Sequence, residues 1–114
     1  MKLIVERSEA TGDWWVRCVA RNGRIVGTSQ EGYRNKGHAE SVACGLALPK
    51  PADPTVLGQY DVKVVRAEGG FRWHLVASNG RKVFGSHEVL TKRAHAERMA
   101  YRVLTEAHEL EVRG

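Results

Sequence analysis

A His-Ala-Glu triplet occurs twice in this chain, at His38–Glu40 and again at His95–Glu97. The spacing matches the His-x-Glu of zinc deaminases, in which the histidine binds zinc and the glutamate moves protons. That chemistry also needs a Pro-Cys-x-x-Cys segment to complete the metal site, and the sequence has none. We therefore predict no metal and no other cofactor. Each triplet is better interpreted as a first helical turn, where a glutamate favours the positive helix terminus.

Two cysteines, Cys18 and Cys44, are too few for a disulfide framework, and no Cys-x-x-Cys segment exists to hold structural zinc. Cys18 shares its strand parity with Trp14 and Val16, so we interpret it as a small core residue. No Ser-His-Asp arrangement and no Gly-rich phosphate loop can be identified. The sequence therefore predicts no catalytic residue and favours a protein that is not an enzyme.

Basic and aromatic residues alternate with apolar ones in two segments that the pattern predicts to be strands. If a helix covers only one side of the sheet, the outward side chains are exposed. Arginines beside a tryptophan then form a surface that can stack on bases and contact phosphates. The net charge of +5 permits such a partner without requiring it. The candidate nucleic-acid or partner contacts are Trp15, Arg17, Arg21, Arg24, Arg72, His74, Arg81 and Lys82.

Two other interpretations of this surface remain open. The same tryptophan and arginines would suit a protein partner, because both residue types are common at binding hot spots. Alternatively, Trp15 packs across the joined sheets and the arginines form an ordinary hydrated surface, since exposed arginine on a strand needs no function. We therefore predict a small non-enzymatic binding module for nucleic acid, with a protein-interaction or regulatory module as the alternative.

Cations stand at the predicted start of both helices, at Lys36 and at the pair Lys92 and Arg93. A positive charge there opposes the helix dipole by roughly 0.3–1 kcal/mol. The arrangement indicates either tolerated surface cations or an anion site, in which the helix N–H groups would supply further donors.

Alternation of apolar and polar residues predicts three strands followed by a helix in each half of the chain. The inward side chains of the central strands are Trp14, Val16, Cys18 and Ala20 in the first half, and Phe71, Trp73, Leu75 and Ala77 in the second. Asn35 is the predicted N-cap of the first helix, and Thr91 or Lys92 begins the second. We expect each helix to lay its apolar stripe across one face of the sheet, and the tail 110–114 to fray.

Asn-Gly pairs follow the central strands, at Asn22-Gly23 and at Asn79-Gly80. This dipeptide is the strongest short hairpin signal, because a type I′ turn needs positive φ at both central residues. We predict a type I′ hairpin at both positions.

The second half of the chain repeats the first. A shift of 57 positions aligns twelve identical residues within 19–43, without a gap. All three prolines fall in 49–54, and proline both stops helices and stiffens linkers. We predict one repeat in 1–47, a linker in 48–58, and a second repeat with its tail in 59–114. The predicted fold class is α+β, with two tandem β-β-β-α repeats packed about a pseudo-twofold axis.

These segments resemble the YegP-like family of small uncharacterised proteins. The best matches are Asn22-Gly23 with Glu31-Gly32-Tyr33, and Phe71-Arg72-Trp73 with Asn79-Gly80. The departures are Trp14-Trp15-Val16 in the first half and Glu88-Val89-Leu90 in the second. The resemblance implies one or two β-β-β-α units, as tandem repeats or as dimers of single units, and it implies no particular activity.

Composition limits where the protein acts. No apolar run is long enough to span a membrane, and the apolar start of the chain stops at Glu6, too early for a signal peptide. We therefore expect a cytoplasmic protein without a membrane partner. At 114 residues and 42% hydrophobic content, the chain should bury one modest core. We expect a monomer with an internal pseudo-dimer, or a homodimer.

Overall fold

The computed structural model describes residues 1–47, 60–77, 80–107 and 109–113. Within them the fold is α+β, as predicted, with seven strands and two helices. The strands are β1 (Lys2–Arg7), β2 (Trp14–Val19), β3 (Ile25–Ser29), β4 (Tyr60–Ala67), β5 (Gly70–Ala77), β6 (Lys82–Ser86) and β7 (Glu109–Val112), and the helices are α1 (Lys36–Ala47) and α2 (Arg93–Glu106). The predicted linker, 48–58, lies outside the described residues.

All seven strands belong to one sheet, in the order β4-β5-β6-β3-β2-β1-β7. The three strands of each half are antiparallel neighbours. The two groups meet edge to edge at β3 and β6, which pair antiparallel through Gly27 with Ser86, Thr28 with Gly85, and Ser29 with Phe84. The halves are therefore joined by backbone hydrogen bonds as well as by a common core.

The described part of the tail, residues 110–113, is tied to the sheet, so the prediction that this part frays is wrong. Residues Glu109–Val112 form β7, which pairs parallel with β1. Beyond this strand, the Arg113 N–H donates a hydrogen bond to the Val5 carbonyl oxygen at 2.8 Å. The edge of β1 presents unpaired N–H and C=O groups that a further strand can satisfy. A segment of four residues carries too little periodicity to predict this pairing.

Both helices pack on the same face of the sheet. Helix α1 contacts β1, β2 and β7, whereas α2 contacts β4, β5 and β6. One continuous core lies beneath both helices. The inward residues predicted from alternation include Val16, Cys18, Trp73 and Leu75, and all four are fully buried there. The opposite face of the sheet carries neither helix.

The first hairpin turns with a geometry that differs from the predicted one. Gly23 has a φ of +86°, but no residue other than glycine has positive φ in the described ranges, so Asn22 does not. The Gly23 N–H donates to the Ala20 carbonyl oxygen at 2.9 Å, as in a type I turn followed by a left-handed glycine. The type I′ prediction is therefore wrong for this hairpin. Gly80 has a φ of +83°, and Asn79 lies outside the described residues.

The two helices begin differently. Asn35 caps α1 as predicted, because its Oδ1 accepts a hydrogen bond from the Gly37 N–H at 2.7 Å. Helix α2 begins at Arg93, and Lys92 occupies the N-cap position without a side-chain cap bond. Neither described helix is long and apolar enough to cross a membrane.

Candidate functional site

The outward side chains of the strands form the face opposite the helices, which we call the open face. One row of directly paired residues crosses all seven strands, namely Lys63, His74, Gly85, Thr28, Arg17, Ile4 and Glu111. Residues two positions along a strand point to the same side, and Lys82 pairs directly with Val76. The open face therefore brings together five of the predicted site residues, Trp15, Arg17, Arg72, His74 and Lys82.

The end of the open face formed by β1, β2 and β7 is balanced in charge. It carries three cations and three carboxylates, namely Lys2, Arg17, Arg113, Glu6, Glu109 and Glu111. Arg17 forms an ion pair with Glu6 on the neighbouring strand. Lys2 Nζ lies 3.5 Å from Glu111 Oε1. Arg113 pairs with Glu111 and also lies 3.8 Å from Glu6 Oε2. The charge of Arg17 is therefore already compensated within the protein.

Trp15 lies on this balanced part of the open face and is half-buried. A Cβ atom on Gly32 would lie 3.0 Å from both Cε2 and Nε1 of the Trp15 ring. The indole therefore rests against the Gly32 backbone, in its own half of the chain. The absence of a side chain at Gly32 makes this contact possible.

The end of the open face formed by β4, β5 and β6 carries cations. We call Lys63, Arg72, His74 and Lys82 the basic end. Among the described residues, no carboxylate oxygen lies within 4.0 Å of the charged groups of Lys63, Arg72 or Lys82. Asp61 stands two residues before Lys63 and faces the same way. One carboxylate against three permanent cations leaves a net positive charge at this end.

His74 lies at the centre of the basic end. Its side chain is 9% exposed, and its Nδ1 has no hydrogen-bond partner among the described residues. Gly85 makes room for it, because a Cβ there would lie 2.8 Å from Nδ1 and 2.5 Å from Gln30 Nε2. Burial, and then the charges of Lys82 and Arg72, lower the pKa of His74 below its ordinary value. His74 is therefore neutral near pH 7.

This lowered pKa predicts a pH-dependent stability. The unfolded chain takes up a proton on His74 at a higher pH than the folded protein does. The free energy of unfolding should therefore fall as the pH drops below about 6.5, and His74 should make no difference well above that pH. Urea unfolding of His74→Gln between about pH 5 and 7.5 should show a flatter profile than wild type.

The exposed residue His87 provides the control for this measurement. His87→Gln removes a histidine without removing a buried one, so its profile should follow the wild-type profile. If His74→Gln and wild type lose stability equally on acidification, His74 does not carry the effect.

Arg24 and Arg81, which the sequence suggested as nucleic-acid contacts, link the two halves of the chain. Arg24, in the first hairpin, forms an ion pair with Glu88, which follows β6. Arg81 directly precedes β6, and its Nη2 lies 2.6 Å from Oε1 of Glu31, which follows β3. Exposed pairs of this kind contribute about 0–1 kcal/mol each. Arg21 is exposed at the tip of the first hairpin.

The three cations of the suggested anion site belong to the helices and not to the open face. Lys36, the first residue of α1, places its Nζ 5.3 Å from the centroid of the Trp14 ring, a cation–π contact. Lys92 and Arg93 are exposed at the start of α2. The structure therefore separates these residues from the basic end.

The described histidines and the cysteines are dispersed. Among the described residues, no three His, Cys, Asp or Glu side chains come close enough to share a metal ion. The His38 ring lies 4.7 Å from the Tyr33 ring, centroid to centroid. Cys18 is a buried core residue, as predicted, and burial raises the pKa of its thiol to about 11. Cys44 is exposed on α1.

The sequence matches no protein-family model and no curated protein. Two solved structures are similar to this chain, each with a TM-score of 0.69 over 96% of its length. The chain has their fold. One is a UPF0339 protein from Shewanella oneidensis, 15% identical and covered over 88% of its length. The other is yegP from E. coli, a protein of unknown function, 20% identical and covered over 90%.

Sequence reasoning missed Lys63 of the basic end and Gly85, which makes room for His74. Lys63 is exposed on the open face because it alternates with the inward residues Val62 and Val64 of β4. The same parity argument that placed Arg72 outward would have found it. Gly85 had no such signal, since its role depends on the register that sets it opposite His74.

Proposed function

We propose that this protein is a small non-enzymatic binding module whose basic end contacts a nucleic-acid backbone. The observation that carries the proposal is a set of three cations, Lys63, Arg72 and Lys82, that have no ion-pair partner among the described residues and lie on a sheet face that neither helix covers. Phosphate contacts from lysine and arginine supply most of the affinity of sequence-independent nucleic-acid binding.

The spacing of the basic end supports a phosphate backbone as its ligand. Its residues stand on three neighbouring strands, which lie about 4.8 Å apart, so the cations span about 10 Å across the sheet. Lys82 pairs with Val76, four residues from Arg72, so they also span about 13 Å along the strands. This width allows contacts to more than one phosphate. Trp15 lies three strands from Arg72, about 14 Å across the sheet, and four residues from it, about 13 Å, along the strands. A single-stranded nucleic acid that crosses the open face could therefore contact the basic end and stack a base on Trp15.

Fluorescence polarisation with labelled single-stranded and duplex oligonucleotides at two or more salt concentrations tests this function. The double variant Arg72→Ala with Lys82→Ala should weaken binding to all sequences alike. The slope of log K against log salt should fall by about 1.5, because two phosphate contacts are lost. Melting temperatures of both proteins must be compared first, so that unfolding is not mistaken for lost binding.

The matched control is the double variant Lys92→Ala with Arg93→Ala. It removes the same charge from the start of α2, so net charge alone predicts an equal effect. We expect the salt slope to stay at the wild-type value. An equal loss in both double variants would contradict a role for the basic end. If no oligonucleotide binds even at low salt, the alternative is a protein-interaction or regulatory module that uses the same surface.

We further propose that the chain is a tandem duplication of a β-β-β-α unit, with a pseudo-twofold axis at the β3–β6 seam. Thr28 and Gly85 are 57 positions apart and pair with each other across the seam. A twofold axis between these two residues requires this, because it exchanges equivalent positions of the two halves. The same shift exchanges Arg24 with Arg81, and Glu31 with Glu88. Two reciprocal ion pairs cross the seam in consequence, namely Arg24 with Glu88 and Arg81 with Glu31.

Hydrogen bonds inside the two halves also support the duplication. The Val16 N–H donates to Ser29 Oγ at 3.2 Å, and the Trp73 N–H donates to Ser86 Oγ at 3.3 Å. Both the donors and the acceptors are 57 positions apart. This internal symmetry, the sequence resemblance and the shared fold together support the proposal that the chain is a YegP-like tandem repeat.

A further inference from the structure

A cleft opens on the helix side of the sheet, between the first hairpin and α2. Its volume is about 210 Å³. The lining includes the buried or half-buried side chains of Val26, Trp73, Leu90 and Met99, with the exposed residues His95 and Arg102 at the rim. Because α2 lines it, the cleft lies on the opposite side of the sheet from the basic end and is a separate site.

In the first half of the chain, a tyrosine occupies the position that corresponds to Leu90. Tyr33 forms an antiparallel bridge with Trp14, and Leu90 forms the same bridge with Phe71. Tyr33 and Leu90 therefore occupy equivalent positions. The Tyr33 ring is 8% exposed, and its centroid lies 4.7 Å from that of His38.

The second half keeps the histidine but not the tyrosine. His95, the counterpart of His38, lines the cleft, whereas Leu90 has no ring to lie beside it. At the rim, Arg102 stands where α1 has Gly45. We infer that the cleft binds a small planar aromatic acid, with the ring beside His95 and the carboxylate at Arg102. The inference rests on the proposed equivalence of the two halves and not on nucleic-acid binding.

The size of the cleft suits one substituted ring. A cavity of about 150 Å³ lined by Leu, Ile and Phe holds benzene, and this cleft is larger at about 210 Å³. A planar ring would contact the apolar side chains of Val26, Leu90 and Met99 and displace water from them.

The charges at the rim favour an anionic substituent. Glu88 also lines the cleft, but it pairs with Arg24, so its charge is compensated. Arg102 pairs with Glu106 at 3.1 Å along the exposed surface of α2. Such i,i+4 pairs are weak, so a carboxylate in the cleft can compete for the guanidinium.

Titration of the wild-type protein with 4-hydroxyphenylacetate, followed by NMR, tests the inference. The resonances of the Leu90 and Met99 methyl groups and of the Trp73 Nε1–H should shift in a saturable manner. Trp73 is a useful reporter because its Nε1 is buried without a hydrogen-bond partner among the described residues. Cyclohexylacetate, which keeps the carboxylate but has no aromatic ring, should bind about three- to tenfold more weakly.

Two variants and one control test the ring site and the carboxylate site separately. Leu90→Tyr restores the residue of the first half, so its own ring should fill the cleft and abolish binding. Val65→Tyr, at an exposed strand position, adds a tyrosine elsewhere and should bind as wild type does. Arg102→Gln should weaken binding of the acid about tenfold and leave the affinity for neutral 4-methylphenol unchanged.

Several results would overturn the inference. With the wild-type protein, the inference is overturned if no saturable shifts occur at millimolar probe concentration, or if the shifts centre on the open face. Undiminished binding by a folded Leu90→Tyr variant would do so as well. The titration contains no nucleic acid, so its failure leaves the basic end untouched, and failure of oligonucleotide binding leaves the cleft untouched.

Discussion

Trp73→Ala is expected to lower the free energy of unfolding by about 3–5 kcal/mol. Trp73 is fully buried, and its ring lies 6.2 Å from that of Phe84, centroid to centroid. It also extends to the seam between the halves, since Trp73 Cη2 would lie 2.9 Å from a Cβ on Gly27. Truncation would leave a cavity under the junction of the two strand groups. The loss is a large share of the roughly 5–15 kcal/mol by which domains are stable.

Urea unfolding, with Val16→Ala as the matched control, measures this loss. Val16 lies 57 positions before Trp73 and is also fully buried. Removing its two methyl groups leaves a much smaller cavity, so the loss of stability should be clearly smaller. Equal losses in the two variants would contradict the view that Trp73 fills the core at the seam.

Gly27→Ala is expected to destabilise the protein by about 1–3 kcal/mol, although it adds a single methyl group. That methyl would lie 2.6 Å from Phe84 Cε2, 2.9 Å from Trp73 Cη2 and 3.2 Å from the Gly85 carbonyl oxygen. Both rings are fully buried and the carbonyl belongs to the paired strand, so none of the three can move aside freely. The added atom would push β3 away from β6.

Gly45→Ala is the control, because it makes the same chemical change inside α1. Among the described residues, a Cβ there would meet Tyr60 Oη, at an ordinary 3.6 Å. Alanine is a better helix former than glycine, so this variant should gain about 0.5–1 kcal/mol. The two substitutions are therefore expected to shift the urea midpoint in opposite directions. A stabilising effect of Gly27→Ala would show that the seam is looser than described.

Alternation predicted which strand residues point inward, and the physical reason is simple. A sheet with one covered face must bury every second side chain, so Val16 and Trp73 could be placed inward from their neighbours alone. The seam could not be predicted in this way. It is built from Gly27, Thr28 and Gly85, whose types carry no apolar alternation and whose pairing joins residues more than fifty positions apart.

The candidate site, too, could be predicted from the sequence only in part. Parity placed Arg17 and Arg72 outward, but only the strand register decides which cations meet carboxylates. That register sets Arg17 beside Glu6, whereas Arg72 has no such partner among the described residues. The ion pair of Arg24 with Glu88, in contrast, has a counterpart in the sequence repeat. Both residue types recur after 57 positions, as the reciprocal pair requires.

The most direct test of the proposed function is an NMR titration of isotope-labelled protein with a single-stranded oligonucleotide at low salt. If nucleic acid binds the basic end, the largest amide shifts should occur in β4, β5 and β6, around Lys63, Arg72, His74 and Lys82. Because phosphate contacts release counterions, these shifts should disappear as salt is added. Shifts that centre on α1 or α2, or no shifts at low salt, would contradict binding through the open face.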